Sequence, residues 1–155
     1  MIYPLRLPFA LRSLALPSHM PAPQTSASDS PAPRHVALRI VTMPRDTNHY
    51  GTIFGGVILS YIDQAGFVEA RRHANHRWVT ASLDHVDFKA PVAVGDTVSF
   101  YTTTTRLGTK SVTVQVEVEA ERYTTGATVQ VTSACLTMVS VDASGKAIPF
   151  RESAE

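Results

Sequence analysis

The chain has 155 residues, 44% of them hydrophobic and 17% charged, with a formal net charge of +1. That length suits one domain with a real core, and the charge balance excludes the global basic signature of a nucleic-acid binder and the acidic run of a solvating tail. The low charged fraction predicts surface buried between subunits, the single Cys135 excludes an internal disulfide framework and fits a reducing, cytoplasmic setting, and no apolar run nears the roughly 18 residues of a membrane span.

Residues 1–34 differ in composition from the rest of the chain. They hold seven of the ten prolines and one acid, Asp29, with no sustained apolar period. This composition predicts a disordered extension. Its first seventeen residues are apolar with two arginines, loosely like a targeting segment, but Pro4 and Pro8 interrupt both a helix and an apolar signal core. The extension is therefore read as a leader without function, or as sequence upstream of a true start at Met20. His35 to Met43 alternates in part and predicts a first strand, stopped by Pro44. Arg45 to Gly51 is a turn-rich connection built on Asp46, Asn48 and Gly51.

A helix is expected over Gly55 to Ala74. From Val57 to Val68 its apolar residues cover nearly the whole circumference, which predicts burial on all sides. Arg71, Arg72 and His73 in the last turn complement the helix dipole and mark the return to solvent. The remainder is strand-like. Trp78 to Phe88, Thr97 to Leu107 and Thr128 to Val141 are rich in β-branched and aromatic residues, and Val112, Val114, Val116 and Val118 alternate with polar neighbours. Leu107 to Lys110 reads as a hairpin turn, with later turns at Thr124-Thr125-Gly126 and Asp142 to Gly145. The predicted order is one strand, one long helix, then four antiparallel strands in a meander. Five strands forming one curved sheet around a central helix define an α+β domain over residues 35–150, with a polar tail at 151–155. The side of the helix that the sheet leaves open has to meet a second subunit.

The run Asp46-Thr47-Asn48-His49-Tyr50-Gly51-Thr52-Ile53-Phe54-Gly55-Gly56, followed by a helix carrying Asp63, resembles the signature of hot-dog acyl-CoA thioesterases. It is most similar to the YciA-like group and the related cytosolic acyl-CoA hydrolases. The similarity continues through Val79-Thr80, Phe88 to Val92, Val94-Gly95-Asp96, the Gly108 to Ser111 hairpin and Val139 to Pro149, and spans about residues 36–150. The resemblance implies a hot-dog fold and hydrolysis of fatty acyl-CoA. It also implies a homodimer assembling to a hexamer, a trimer of hot-dog dimers. Coenzyme A is then part of the substrate, and no separate cofactor is called for.

Asp63 is the leading candidate. Its neighbours at three and four residues are Leu59, Ser60, Gly66 and Phe67, none of them a cation, so a buried or cleft carboxylate is expected. Burial raises a carboxylate's pKa and suits it to act as a general base; the resemblance implies that it activates water or attacks the thioester. Asn48, otherwise an ordinary turn residue, is expected to orient the water or the carbonyl. Gly55 and Gly56 let the chain turn into the helix, and the free N–H of Gly56 at a helix N-terminus is a candidate oxyanion donor. Asp63 lies roughly 12 Å along the axis from Gly55, so a site using Asn48 and Asp63 is expected to draw on two subunits. Thr80 is expected beside the site. Lys89, Arg106, Lys110 and Ser111 are candidates for the CoA phosphates. His73 and His76 lack the further ligands of a metal site, so no metal is expected. Two rival readings are an enoyl-CoA hydratase, disfavoured by Val68 where such enzymes carry a histidine, and a non-catalytic acyl-CoA-binding regulator.

Overall fold

The structure, a computed structural model, describes residues 33–151. Nearly all of the expected extension, and most of the expected tail, lie outside the described residues. In chain order the elements are strand β1 (His35–Val41), a 3-10 turn (Pro44–Asp46), helix α1 (Gly55–His73), and strands β2 (Arg77–Asp84), β3 (Thr97–Leu107), β4 (Ser111–Glu121) and β5 (Thr128–Val141). The strands form one antiparallel sheet in the order β1-β3-β4-β5-β2, with α1 packed across it. This is the hot-dog arrangement that the sequence predicts.

The alternation in β4 explains how sheet and helix meet. Val112, Val114, Val116 and Val118 are fully buried beneath α1, together with Phe100, Leu136, Ile58 and Ile62. Burial of each such side chain contributes roughly 1.5–3 kcal/mol. Gly66 permits a close approach: a Cβ there would lie 3.0 Å from Leu136 Cδ2. Register shifts interrupt all four strand pairings, among them one between Thr80 and Ser82 in β2. Such bulges bend and twist a sheet, here around the helix.

Two expectations are corrected. β3, β4 and β5 form a meander, but β2 does not precede them in it; β2 pairs with β5 at the far edge, Thr80 opposite Met138. The cause lies in residues 85–96. His85 has φ 57°, which ends β2 at Asp84 and not at Phe88. Pro91 and the turn before Thr97 then keep the chain out of the ladder while it crosses to β3. The helix is also not buried on all sides. Its buried residues, Ile58, Ile62, Ala65, Gly66, Glu69 and Ala70, make one stripe, whereas Gly56, Ser60, Asp63, Gln64 and Phe67 are exposed. One curved sheet covers one side of a helix, and within the protomer the other side stays open.

The crossing segment is fixed by a buried carboxylate. Asp96 is 2% exposed and receives hydrogen bonds from Arg122 Nη1 at 2.5 Å, the Ala93 N–H at 3.0 Å and the Tyr123 N–H at 3.2 Å. Burial pushes its carboxyl up, but the bonds from Ala93, Arg122 and Tyr123 outweigh that and hold it below its ordinary 3.8. A depressed carboxylate stabilises the fold above its unfolded-state pKa and loses that contribution as the pH falls through the folded value. Asp96→Asn is therefore expected to lower the unfolding free energy by about 2 kcal/mol at neutral pH, less than a fully buried broken pair because Arg122 stays partly wet. In urea titrations the gap between wild type and variant should narrow as the pH drops below 3.8.

Candidate active site

The loop before α1 is shaped by Asn48. Its Oδ1 accepts the Tyr50 N–H at 2.9 Å and the Thr52 N–H at 3.2 Å, and its Nδ2 donates to Thr52 Oγ1 at 2.9 Å. Among the described residues its second amide hydrogen has no partner and is open to a further one. The loop is tied to the helix start through Phe54 N–H to Asp46 O at 3.0 Å and to the crossing segment through Ile53 N–H to Val92 O at 2.9 Å. Gly55 and Gly56 open the helix, so their N–H groups precede its hydrogen-bonding ladder. Gly56 is exposed, and a Cβ placed on it would meet nothing within 4 Å. Gly55 is covered differently, with the Phe88 ring 3.4 Å from where its Cβ would stand.

Asp63 and Thr80 come together. The Thr80 hydroxyl donates to Asp63 Oδ1, and its oxygen lies 3.4 Å from Met138 Sδ. The bulge after Thr80 lies next to this contact. Contrary to expectation, Asp63 is exposed in the protomer, because it sits on the flank of α1 beside edge strand β2, outside the buried stripe. The buried acid of α1 is Glu69, 3% exposed, which the sequence reading missed. It accepts hydrogen bonds from Thr102 Oγ1 and Thr104 Oγ1, both at 2.9 Å, and lies 3.4 Å from Arg72 Nε. The signal was available: Glu69 continues the spacing of Ile58, Ile62 and Ala65, whereas Asp63 falls outside it.

The predicted phosphate ligands divide into two groups. Arg106, Lys110 and Ser111 lie at the β3–β4 hairpin, where Lys110 O accepts the Ser140 N–H at 2.9 Å. Arg151 caps the same hairpin through Leu107 O at 2.8 Å and Gly108 O at 3.0 Å. Lys89 is elsewhere: its N–H donates to Val131 O at 2.8 Å and its Nζ to Gln130 Oε1 at 3.1 Å. Val131 and Ser140 are separated by about 30 Å of β5 at strand rise, so within one chain Lys89 does not join the hairpin group. Lys89 lines a cavity of about 340 Å³ at the helix start, walled also by Ile53, Gly55, Ile58, Phe88, Ala90, Pro91, Val92 and Val131. Among the described residues no cluster of three or more His, Cys, Asp or Glu is arranged to hold a metal ion. His73 and His76 serve different partners, Thr104 Oγ1 at 2.7 Å and Ser140 Oγ at 2.9 Å. Among the described residues, too, no helix is long and apolar enough to cross a membrane.

A sequence model of the Thioesterase superfamily matches residues 50–127, about half of the chain, from the Asn48 loop to the turn after β4. The chain belongs to the thioesterase superfamily. Within this superfamily it is a YciA-like member with the hot-dog fold. The uncharacterized acyl-CoA thioester hydrolase YkhA of Bacillus subtilis is 41% identical over 106 residues, which are 68% of this chain and 62% of YkhA, so the chain spans less than two thirds of that relative. The acyl-CoA thioester hydrolase YciA of Salmonella typhimurium is 36% identical over 118 residues, 74% of this chain and 89% of YciA. A hexameric hotdog-fold thioesterase of Campylobacter jejuni superposes with a TM-score of 0.71 at 47% identity, over 75% of this chain and 90% of that one. An acyl-CoA hydrolase of Staphylococcus aureus has been solved with one asparagine replaced by alanine (TM-score 0.68, 30% identity, 75% of this chain and 69% of that one). It has also been solved with one aspartate so replaced (TM-score 0.66, 30% identity, 75% and 71%). Those two residues are fifteen positions apart, as Asn48 and Asp63 are here.

The two helix acids of this thioesterase-superfamily chain should respond differently to mutation. Glu69→Ala leaves two threonine hydroxyls without their acceptor and is expected to lower the unfolding free energy by ~2–4 kcal/mol. Asp63→Asn, at an exposed position, should change it by less than ~1 kcal/mol. Chemical denaturation of the two variants beside wild type checks the contrast; equal losses would place both acids in the same environment.

Proposed function

We propose that this protein is an acyl-CoA thioesterase, in which water cleaves the thioester to a carboxylic acid and free CoA. The observation that carries the reading is that Gly56 and Asp63 share one exposed face of α1. They are seven residues apart, about 10 Å along the axis. An oxyanion donor acts at roughly 3 Å, so one thioester does not touch both groups of a single chain. Two copies related by a two-fold axis near Ser60 bring Gly56 of one toward the partner's Asp63, and a two-fold makes two such sites at once. At each, the Gly56 N–H stabilises the negative charge on the carbonyl oxygen. Asn48 orients the water or the carbonyl with its remaining amide hydrogen. The partner's Asp63, held by Thr80, takes the proton from water or attacks the carbonyl itself. The leaving thiolate of CoA collects a proton. Arg106, Lys110 and Ser111 hold the phosphates, and the steps draw only on protein groups and water.

We extend to this chain the hexameric state of the Campylobacter thioesterase, as a trimer of hot-dog dimers. The low charged fraction supports it. A reaction that releases a thiol, in a protein with one free cysteine, suits a reducing compartment, and we place the protein in the cytoplasm.

Thiol release from a panel of acyl-CoAs tests the reading. Asp63→Asn and Asn48→Ala should each lose ~10²-fold or more in kcat. Hexamers assembled from a mixture of the two inactive chains should regain a measurable part of the activity, because one of the two sites in a mixed dimer is intact. Hybrids as inactive as their parents would rule out the shared site, and a wild type that releases no thiol from any acyl-CoA would rule out the enzyme.

A further inference from the structure

The cavity at the helix start is not used by the catalytic groups, and its walls indicate what fits it. Its volume of about 340 Å³ is that of a small-molecule pocket. Ile53, Ile58, Val92 and Val131 make it apolar. Four backbone groups of the lining are paired with one another, Ile53 N–H with Val92 O at 2.9 Å and Lys89 N–H with Val131 O at 2.8 Å. Lys89 Nζ, the one charged group on the lining, is held by Gln130 Oε1 at 3.1 Å. Lys89, an exposed residue, keeps its remaining ammonium hydrogens at the rim, whereas the Ile53, Ile58, Val92 and Val131 side chains offer a polar occupant no hydrogen bond and suit a hydrocarbon, which needs none. Gly55, next to the Gly56 amide, is one of the lining residues, with the Phe88 ring 3.4 Å from where its Cβ would stand.

We infer that this cavity receives the hydrocarbon end of the acyl group, and that Ala90, a small half-buried wall residue, sets the chain length it accepts. The inference rests on the acyl-CoA reading above: a carbonyl held at the Gly56 amide has its acyl tail next to Gly55 and the cavity that Gly55 lines.

The test is the series Ala90→Val, Ala90→Leu and Ala90→Phe, with kcat/KM measured on acyl-CoAs of rising length and thermal melting to confirm folding. The optimum should move to shorter chains at each step. The ratio of long-chain to short-chain kcat/KM should fall roughly tenfold or more from wild type to Ala90→Phe. Phe88→Ala, at an exposed lining position, should shift the optimum the other way by enlarging the cavity. A parallel fall at every chain length would overturn the inference and mark the cavity as the place of the pantetheine arm. Calorimetric titration with free fatty acids reads the same cavity without turnover. Affinity should rise with chain length in wild type and lose that dependence in Ala90→Phe; an affinity flat with length in wild type overturns the inference whatever the turnover. A wild type that binds fatty acids by length but hydrolyses no acyl-CoA would remove the enzymatic reading and leave the cavity standing.

Discussion

The rotation of α1 about its own axis is the constraint on which everything else depends. The stripe of Ile58, Ile62, Ala65, Gly66 and Ala70 has to face the valines of β4, and Gly66 lets it come within contact of Leu136. Once that stripe is seated, every other residue of the helix has a fixed heading. Asp63 and Glu69 are six residues apart, which is about 240° around the helix. One carboxylate is therefore driven into the sheet and the other is turned outward. No local preference of either residue decides this; the apolar neighbours do.

The two acids are accommodated in different ways. Glu69 enters the core region because β3 presents Thr102 and Thr104 at hydrogen-bonding distance, and Arg72 lies one turn along. A buried carboxylate with these partners is a clamp between helix and sheet. Among the described residues Asp63 has one hydrogen-bond partner, the Thr80 hydroxyl. Its second oxygen and its exposure leave it available to a ligand or a second chain. A similar economy shapes the preceding loop, where the Asn48 carbonyl oxygen closes the turn while half of its NH₂ stays free.

Much of this was legible in the sequence. The β4 alternation fixed which valines face inward, the proline and glycine turns bounded most strands, and the helix limits were met within one residue. The Asn48, Gly-Gly and Asp63 run pointed to the family whose members the chain matches. What failed were questions of partnership. Hydropathy alone does not say that β2 pairs with β5, since any antiparallel neighbour satisfies the same alternation. His85, whose left-handed φ ends β2, is not a residue whose type forces that conformation. The helix looked apolar on all sides because Val57, Leu59, Tyr61 and Phe67 were counted with Ile58 and Ile62, although the first three are half-buried flanks and Phe67 is exposed. An acid without charged neighbours, such as Asp63, stands out by residue type, whereas a buried acid such as Glu69 is recognised only by its heading on the helix.

The arrangement along β5 gives the site its logic on the proposed reading. Thr80, Met138 and Val112 stand in one row across β2, β5 and β4, and Ser111 of the hairpin is the residue before Val112. In one chain, then, the Asp63 carboxylate belongs to the hairpin end of the sheet, with Arg106 and Lys110. The Gly55–Gly56 amides belong to the other end, with the apolar cavity and Val131. An acyl-CoA has the same division, a charged nucleotide on one side of the thioester and a hydrocarbon on the other. Crossing two copies of α1 near Ser60 sets the polar end of one chain against the apolar end of its partner, with carboxylate and amides meeting between them. The reacting bond is where those two chemistries join on the substrate, and on the proposed reading the boundary between the two copies is where they join on the protein.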